Sequence, residues 1–403
     1  MIDFLLDMVH HNPGEPKTKS KFLDPVFLEE NGYSGMVFND FVFAHCTLDF
    51  HSVKPGIFKE DSPEKKWMIA AAGQVKEHIR KCKDSGIKCY FFTDIIVLPK
   101  KIKDLFYKEL CDENGLIDFH KPFTQEIHRK MIRELFEAYP DLDGIVVRTG
   151  ETYLHNVPWH LGNNPIQKGP ESHKIIIQLL KEEVCERFRK RLIYRTWSFD
   201  GFHSDPQYYL DVTNSIAPHP NLIFAVKHTQ LDYWRQVPLN PTIGIGNHPQ
   251  IIEIQCQREY EGKGAYPSYI ARGVIEGFPE VTVKGNLKDA LKTKDKIRGI
   301  WTWSRGGGWK GPYINNEFWC ELNAFVLINW AQQPEKSEEA IFMEVAQLYG
   351  ITDENAIRLR EICLQSEKGI LLGHYYEKFP FPKAKEFHHY INWTRDHFLA
   401  GHE

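Results

Sequence analysis

Leu222-Ile223-Phe224-Ala225-Val226 is an unbroken apolar run, closed by Lys227-His228. No polar residue alternates within it, so a strand built from it is covered on both faces, as strands of parallel sheets are. Seven other short runs rich in β-branched and aromatic residues accompany it: Phe4 to Val9, Gly35 to Phe38, Lys88 to Thr93, Gly144 to Val147, Leu192 to Trp197, Ile251 to Gln255 and Gly299 to Trp303. Helical apolar spacing with charged outer faces fills Lys65 to Lys83, Thr124 to Tyr139 and Ser172 to Arg189, and shorter candidates lie at Asp205 to Ile216 and Pro267 to Gly277. Eight such strands with helices between them predict an α/β fold, a (β/α)8 TIM barrel. An open doubly wound sheet is the rival, but no Gly-x-Gly-x-x-Gly follows any strand. From Lys227 to Pro249 the pattern is that of a long loop, which on the active face of a barrel is usually functional.

Beyond Pro312 the pattern turns helical: Phe318 to Gln332, Ser337 to Tyr349, Asp353 to Gln365 and Lys385 to Leu399. The expected organisation is a catalytic barrel over residues 1–312, then the last barrel helix and a C-terminal helical extension over 313–403. Lys plus Arg number 50 against 54 Asp plus Glu, so no large basic face for nucleic acid is expected. No run of about 20 apolar residues exists to cross a bilayer, and membrane association is not expected. None of the eight cysteines falls in a Cys-x-x-Cys pair, so they are expected reduced and buried, without metal. No signal peptide is expected from the residues ahead of the first strand. A genuine start implies a cytoplasmic protein; a missing leader or N-terminal domain implies a periplasmic or secreted one.

In a barrel of this kind the chemistry sits at the C-terminal ends of the strands. Those ends read His10-His11-Asn12, Asn39-Asp40, Asp94, Arg148-Thr149-Gly150-Glu151, Arg195-Thr196-Trp197, Lys227-His228, Gln255-Cys256-Gln257-Arg258-Glu259 and Trp301-Thr302-Trp303-Ser304-Arg305. Carboxylates, cations and tryptophans together suit an anionic sugar, with Trp197 and Trp303 as aromatic faces. Along the seventh strand a period of two puts Glu253, Gln255, Gln257 and Glu259 on one face, with Ile252, Ile254 and Cys256 on the other. A polar row facing inward is out of place in a packed barrel and marks a site. Arg148, Arg195 and Lys227 end three successive strands, and three cations on one rim repel unless an anion lies among them. Internal pairing with Glu151, Glu259 or Asp232 is the plainer account for any one of them. A metal-dependent hydrolase of the amidohydrolase type would use His10, His11 and Asp94. Adjacent histidines on a strand point to opposite faces, however, and no Asp follows the eighth strand, so no metal and no cofactor are expected.

Pro220 to Tyr233, Ile252 to Gly262, Tyr194-Arg195-Thr196-Trp197 and Leu322 to Trp330 resemble, in order and approximate spacing, motifs of the α-glucuronidases of glycoside hydrolase family 67. The resemblance runs over residues 140–350. It implies an inverting glycoside hydrolase that removes a terminal uronic acid. Glu151 matches the family's general acid, Asp232 and Glu259 its water-activating carboxylates, and Arg195 and Lys227 the cations that hold the uronate; Arg148 lies one position from a third cation. Thr152-Tyr153-Leu154-His155-Asn156 stands where the family has a Gly-Gln-Pro-rich turn, and the family's N-terminal β-sandwich has no counterpart in this stretch. The implied partner is an acidic oligosaccharide, with a second copy of the chain as the only protein partner considered. A non-catalytic barrel that binds acidic glycans is the alternative from a different class.

Overall fold

The structure is a computed structural model and describes residues 2–10, 19–39, 44–152, 154–259, 261, 267–281, 283, 285–293, 295–306, 317–380 and 392–394. Among the described residues, ten strands lie in the first three quarters: β1 Phe4–Val9, β2 Gly35–Phe38, β3 Lys88–Asp94, β4 Val97–Pro99, β5 Gly144–Arg148, β6 His160–Gly162, β7 Arg191–Arg195, β8 Leu222–Lys227, β9 Gln250–Gln255 and β10 Ile297–Arg305. Eight of them close into a barrel in the order β1-β10-β9-β8-β7-β5-β3-β2. The pairings β1–β10, β2–β3, β3–β5, β5–β7 and β7–β8 are parallel. These eight are the runs expected from the sequence, and the (β/α)8 TIM barrel stands. The short antiparallel pair β4–β6 was not foreseen. As expected, residues 228–249 form no helix.

The chain packs as two compact units, one of Met1–Ser34, Lys227–Gly244 and Ile251–Glu403, the other of Gly35–Val226 and Ile245–Gln250. In the second unit the helices Pro63–Ser85, Pro122–Ala138, Pro170–Leu180 and Pro206–Thr213 follow the strands, each opening on a proline. Proline is favoured there because its missing N–H has no partner in the first turn anyway. Ser62 and Asp205 cap two of these helices by accepting the Lys65 and Gln207 amides at 3.2 and 2.8 Å. Gly86, at φ 80°, ends the first in the left-handed conformation. The helix expected to run on to Arg189 widens into a π-helical stretch over Lys181–Arg187. There Glu183 is buried against Arg133, with contacts of 2.6 and 2.9 Å.

The first unit holds β1, β9 and β10 with the helices Phe318–Gln332, Glu338–Leu348 and Asp353–His374. Phe318–Gln332 is apolar on nearly every side because nearly every side is covered. The last helix runs nine residues beyond the expected end at Gln365. Of the helix expected over Lys385 to Leu399, the described part, Asn392–Thr394, is instead a strand, β12, antiparallel to β11 at Tyr375–Pro380. Pairing with a distant segment overrides the local helical pattern there. All eight cysteines are free and buried, and among the described residues no helix is long and apolar enough to cross a membrane.

Asp7 is a carboxyl that the sequence reading passed over. It is fully buried on β1 and accepts Thr302 Oγ1 at 2.6 Å, Ser304 Oγ at 2.7 Å and the Ser304 amide at 3.1 Å. Burial raises it from 3.8 to about 7, against the opposing pull of those hydrogen bonds. The folded protein therefore keeps a proton that the unfolded chain has released between about pH 4 and pH 7, and stability falls as pH rises through that window. Asp7→Asn preserves the shape and removes the titration. Urea unfolding at several pH values should show the wild type losing up to about 1.4 kcal/mol per pH unit across the window, and the variant losing much less. Parallel profiles for the two proteins would show that Asp7 is ionised in the fold.

Candidate active site

In the second unit, β3 and β5 run side by side with Asp94 in register with Arg148. Their side chains form a two-toothed pair, Arg148 Nε to Asp94 Oδ1 at 2.9 Å and Nη2 to Oδ2 at 2.7 Å. Both are buried, at 2% and 1% exposure. Arg148 is thus paired internally with Asp94, a partner the sequence reading had not offered, because neighbouring strands in register set the two side by side. The Phe92 ring lies 5.3 Å from the Arg148 guanidinium and 5.5 Å from that of Arg195. Past Arg148, Gly150 lets the chain leaving β5 cross the chain leaving β7. A Cβ there would stand 2.9 Å from Ser198 Cα and 3.2 Å from the Trp197 carbonyl oxygen. Glu151 follows immediately and is half-buried.

The chain beyond β7 is pinned by Asp200, which sequence reasoning missed. Its carboxylate accepts from the Ser198 and Tyr208 hydroxyls and from the Phe202 amide at 3.1 Å, and meets His173 Nε2 at 3.0 Å. Burial alone would raise Asp200, but the bonds from His173, Ser198 and Tyr208 outweigh it and hold the carboxyl well below its ordinary value. His173 is oriented in turn by the Tyr194 hydroxyl at 2.9 Å. Trp197 sits in this braced loop, 4.8 Å from the His203 ring and 6.5 Å from Phe199. The legible signal was a serine and an aspartate, Ser198 and Asp200, a few residues past a strand end.

In the first unit Lys227, at the end of β8, is ion-paired with Asp232. Its ammonium lies 5.1 Å from the Tyr233 ring and 6.0 Å from that of Trp303. Trp303 is in turn 5.4 Å from Tyr233 and 5.2 Å from His10. The structure therefore brings Lys227, Asp232, Tyr233, Trp303 and His10 together. On β9, Glu253 is fully buried and receives the Tyr233 hydroxyl at 3.5 Å. The strand ends at Gln255, so the expected alternation does not reach Gln257 and Glu259. A turn carries Glu259 instead, braced by its own amide bonding to Gln255 Oε1 at 3.1 Å. Gln257 is held differently, through Nε2 to the Gly306 carbonyl at 3.3 Å.

Of the residues offered for a metal, Asp94 is engaged elsewhere, giving both oxygens to Arg148, and His11 lies outside the described residues. Asp40 also lies outside them. Among the described residues, Asp49, His51 and Glu134 have spacing suited to an ion. Their atoms already have partners: His51 Nδ1 meets Asp49 at 3.1 Å and Glu134 at 3.5 Å, Lys65 meets Asp49 at 3.0 Å, and the Ser52 amide bonds Glu134 at 2.6 Å.

No protein-family model matches the chain, and no curated protein does. Among solved structures the chain is similar to a GH138 enzyme targeting pectin rhamnogalacturonan II, with a TM-score of 0.55 and 16% identity, covering 93% of this chain and 44% of that one. The chain thus spans less than half the length of that enzyme, and at this identity the likeness establishes the shared fold.

Removing one partner of a buried ion pair strands the other's charge, which costs about 3–5 kcal/mol. Asp94→Asn should lower the free energy of unfolding in urea by that order, while replacing both Asp94 and Arg148 with apolar residues of similar size should cost far less. Equal losses for the single and the double replacement would mean that the ion pair is not what holds β3 to β5 at this end.

Proposed function

We propose that the chain is a glycoside hydrolase that removes a terminal uronic acid by inversion, α-glucuronidase-like. Glu151 acts as general acid, and Asp232 and Glu259 activate water. The observation that carries the reading is the cluster at the end of β8: a buried cation, its carboxylate partner and two aromatic faces, Tyr233 and Trp303, within 6.0 Å of the ammonium. Sugars are gripped by aromatic faces, and uronates by a cation. A substrate carboxylate that takes Lys227 would release Asp232 from its ion pair. The shared fold with a GH138 enzyme supports the class, and the family 67 resemblance supports the sugar.

Inverting hydrolysis needs an acid that protonates the leaving oxygen and a base that activates water on the opposite face. In this reading Arg195 and Lys227 hold the uronate, with Trp197 and Trp303 as stacking surfaces. Arg148, whose Nε and Nη2 are already on Asp94, contributes its field rather than a two-toothed contact.

Two sets of variants test this. Arg195→Ala and Lys227→Ala should each weaken binding of a uronate about ten- to hundredfold more than binding of the matching neutral sugar, the scale of one charge-assisted hydrogen bond. Equal losses for acidic and neutral sugars would reduce both residues to supports of the fold.

Glu151→Gln cannot deliver a proton. Hydrolysis of uronate-capped oligosaccharides, rhamnogalacturonan II fragments among them, should fall about 10²–10⁴-fold, and hydrolysis of an activated aryl glycoside much less. Asp232→Asn and Glu259→Gln should slow both substrates alike, since both need water. A wild-type protein that binds such oligosaccharides tightly and cleaves none would instead be the non-catalytic binding barrel.

A further inference from the structure

Asp232 and Glu259 lie on two different loops, and secondary structure does little to hold either. Between β8 and β9 the described contacts of this kind reduce to one isolated bridge, Thr229 to Leu239. Glu259 stands in a turn. Two carboxylates that act on one water must keep their spacing to a fraction of an ångström, because small misplacements are costly in rate. The first unit contains a buried device that joins the two loops at two points.

The first stitch joins the residues next to the two carboxylates. Arg258, adjacent to Glu259, donates through Nη1 to the carbonyl of Tyr233, adjacent to Asp232, and its Nη2 lies 3.3 Å from His228 Nε2. The second stitch lies two and three residues further on. The backbone N–H of Arg235 donates to Glu261 Oε1 at 2.7 Å and to the Tyr375 hydroxyl at 3.0 Å. The Tyr375 hydroxyl in turn donates to the same Glu261 oxygen. Arg235 is anchored by Nε to Glu280 at 2.8 Å, and its Nη2 stands 3.7 Å from Glu367, which Arg272 holds at 2.6 Å. Arg235 and Glu261 are fully buried, and Tyr375 is 8% exposed. Buried charges of this kind are a poor source of stability and a good source of a single geometry. Burial and the neighbouring Glu261 also push the Tyr375 hydroxyl well above its ordinary value, so it remains a donor throughout the working pH range.

We propose that Tyr375, where the last helix ends, is a positioning residue that with Glu261 and Arg235 locks the Asp232 loop against the Glu259 loop. The proposal rests on the water-activating roles given above to Asp232 and Glu259. It also assigns a task to the C-terminal extension: the third anchor of that lock.

The test is Tyr375→Phe in the full chain, which removes one oxygen and leaves the ring. Steady-state kinetics should show kcat down about tenfold or more, with KM changed less than about twofold. The loss should be the same for a natural uronate linkage and an activated aryl glycoside, because it strikes water attack and not leaving-group protonation. Amide hydrogen exchange should quicken across residues 231–237. Glu261→Gln, which keeps an acceptor for both donors, should retain most of kcat, whereas Glu261→Ala should behave as Tyr375→Phe does. A lowered melting temperature with kcat unchanged would reduce Tyr375 to a structural residue and overturn the proposal. If the wild type cleaves no glycoside, the hydrolase reading fails separately. Exchange at 231–237 then still decides the lock: faster exchange in Tyr375→Phe supports it, and unchanged exchange overturns it.

Discussion

Parallel strands cannot be joined by tight turns, so a closed ring of them is wrapped by crossover segments and buried on both faces. A charged side chain on such a strand has no water to retreat to and must find an opposite charge or lose its own. Much of the chemistry at the strand ends follows from that constraint. Asp94 and Arg148 meet across neighbouring strands. Lys227 reaches forward to Asp232 on the loop its own strand opens. Asp7, whose hydrogen bonds come from hydroxyls and backbone amides, is driven toward its neutral form.

The fully buried Asp7 and the half-buried Asp200 end in opposite states. Each accepts several hydrogen bonds, and burial raises each. Asp7's donors are Thr302 and Ser304, which carry no charge, and burial wins. Asp200 has His173 besides two hydroxyls, and the hydrogen bonds win. The first carboxyl makes stability depend on pH near neutrality; the second remains an anion that holds the loop carrying Trp197. The same reasoning covers the Arg235 cluster, where burial is offset by Glu280, Glu261 and Glu367 and the guanidinium stays charged. A charge kept at that depth fixes loops that have no ladder of backbone hydrogen bonds to fix them.

The eight barrel strands were legible because each run carries its own signal: continuous apolar residues of strand length, bounded by polar ones. The polar strand ends were legible for the same reason, since the position of a polar residue after an apolar run is a local fact. Where the reading went astray, a contact outside the repeating pattern intervened. The alternation on β9 was extended to Glu259, but the strand stops at Gln255, where the side chain of Gln255 turns back to hold the Glu259 amide. The C-terminal helix was extended through Asn392–Thr394, where pairing with Tyr375–Pro380 makes a strand instead.

The sequence by itself determined the number and order of the strands, the helices that return most of them, and which residues stand at the strand ends, because the periods of 2 and 3.6 are written in neighbouring residues. Only the tertiary structure decided who answers each buried charge. Arg148 finds Asp94 across 54 residues, and Tyr375 finds Glu261 across 114. No periodicity encodes such pairs. They arise when strand register and loop crossings bring two distant segments within about 3 Å, the range over which a hydrogen bond can form.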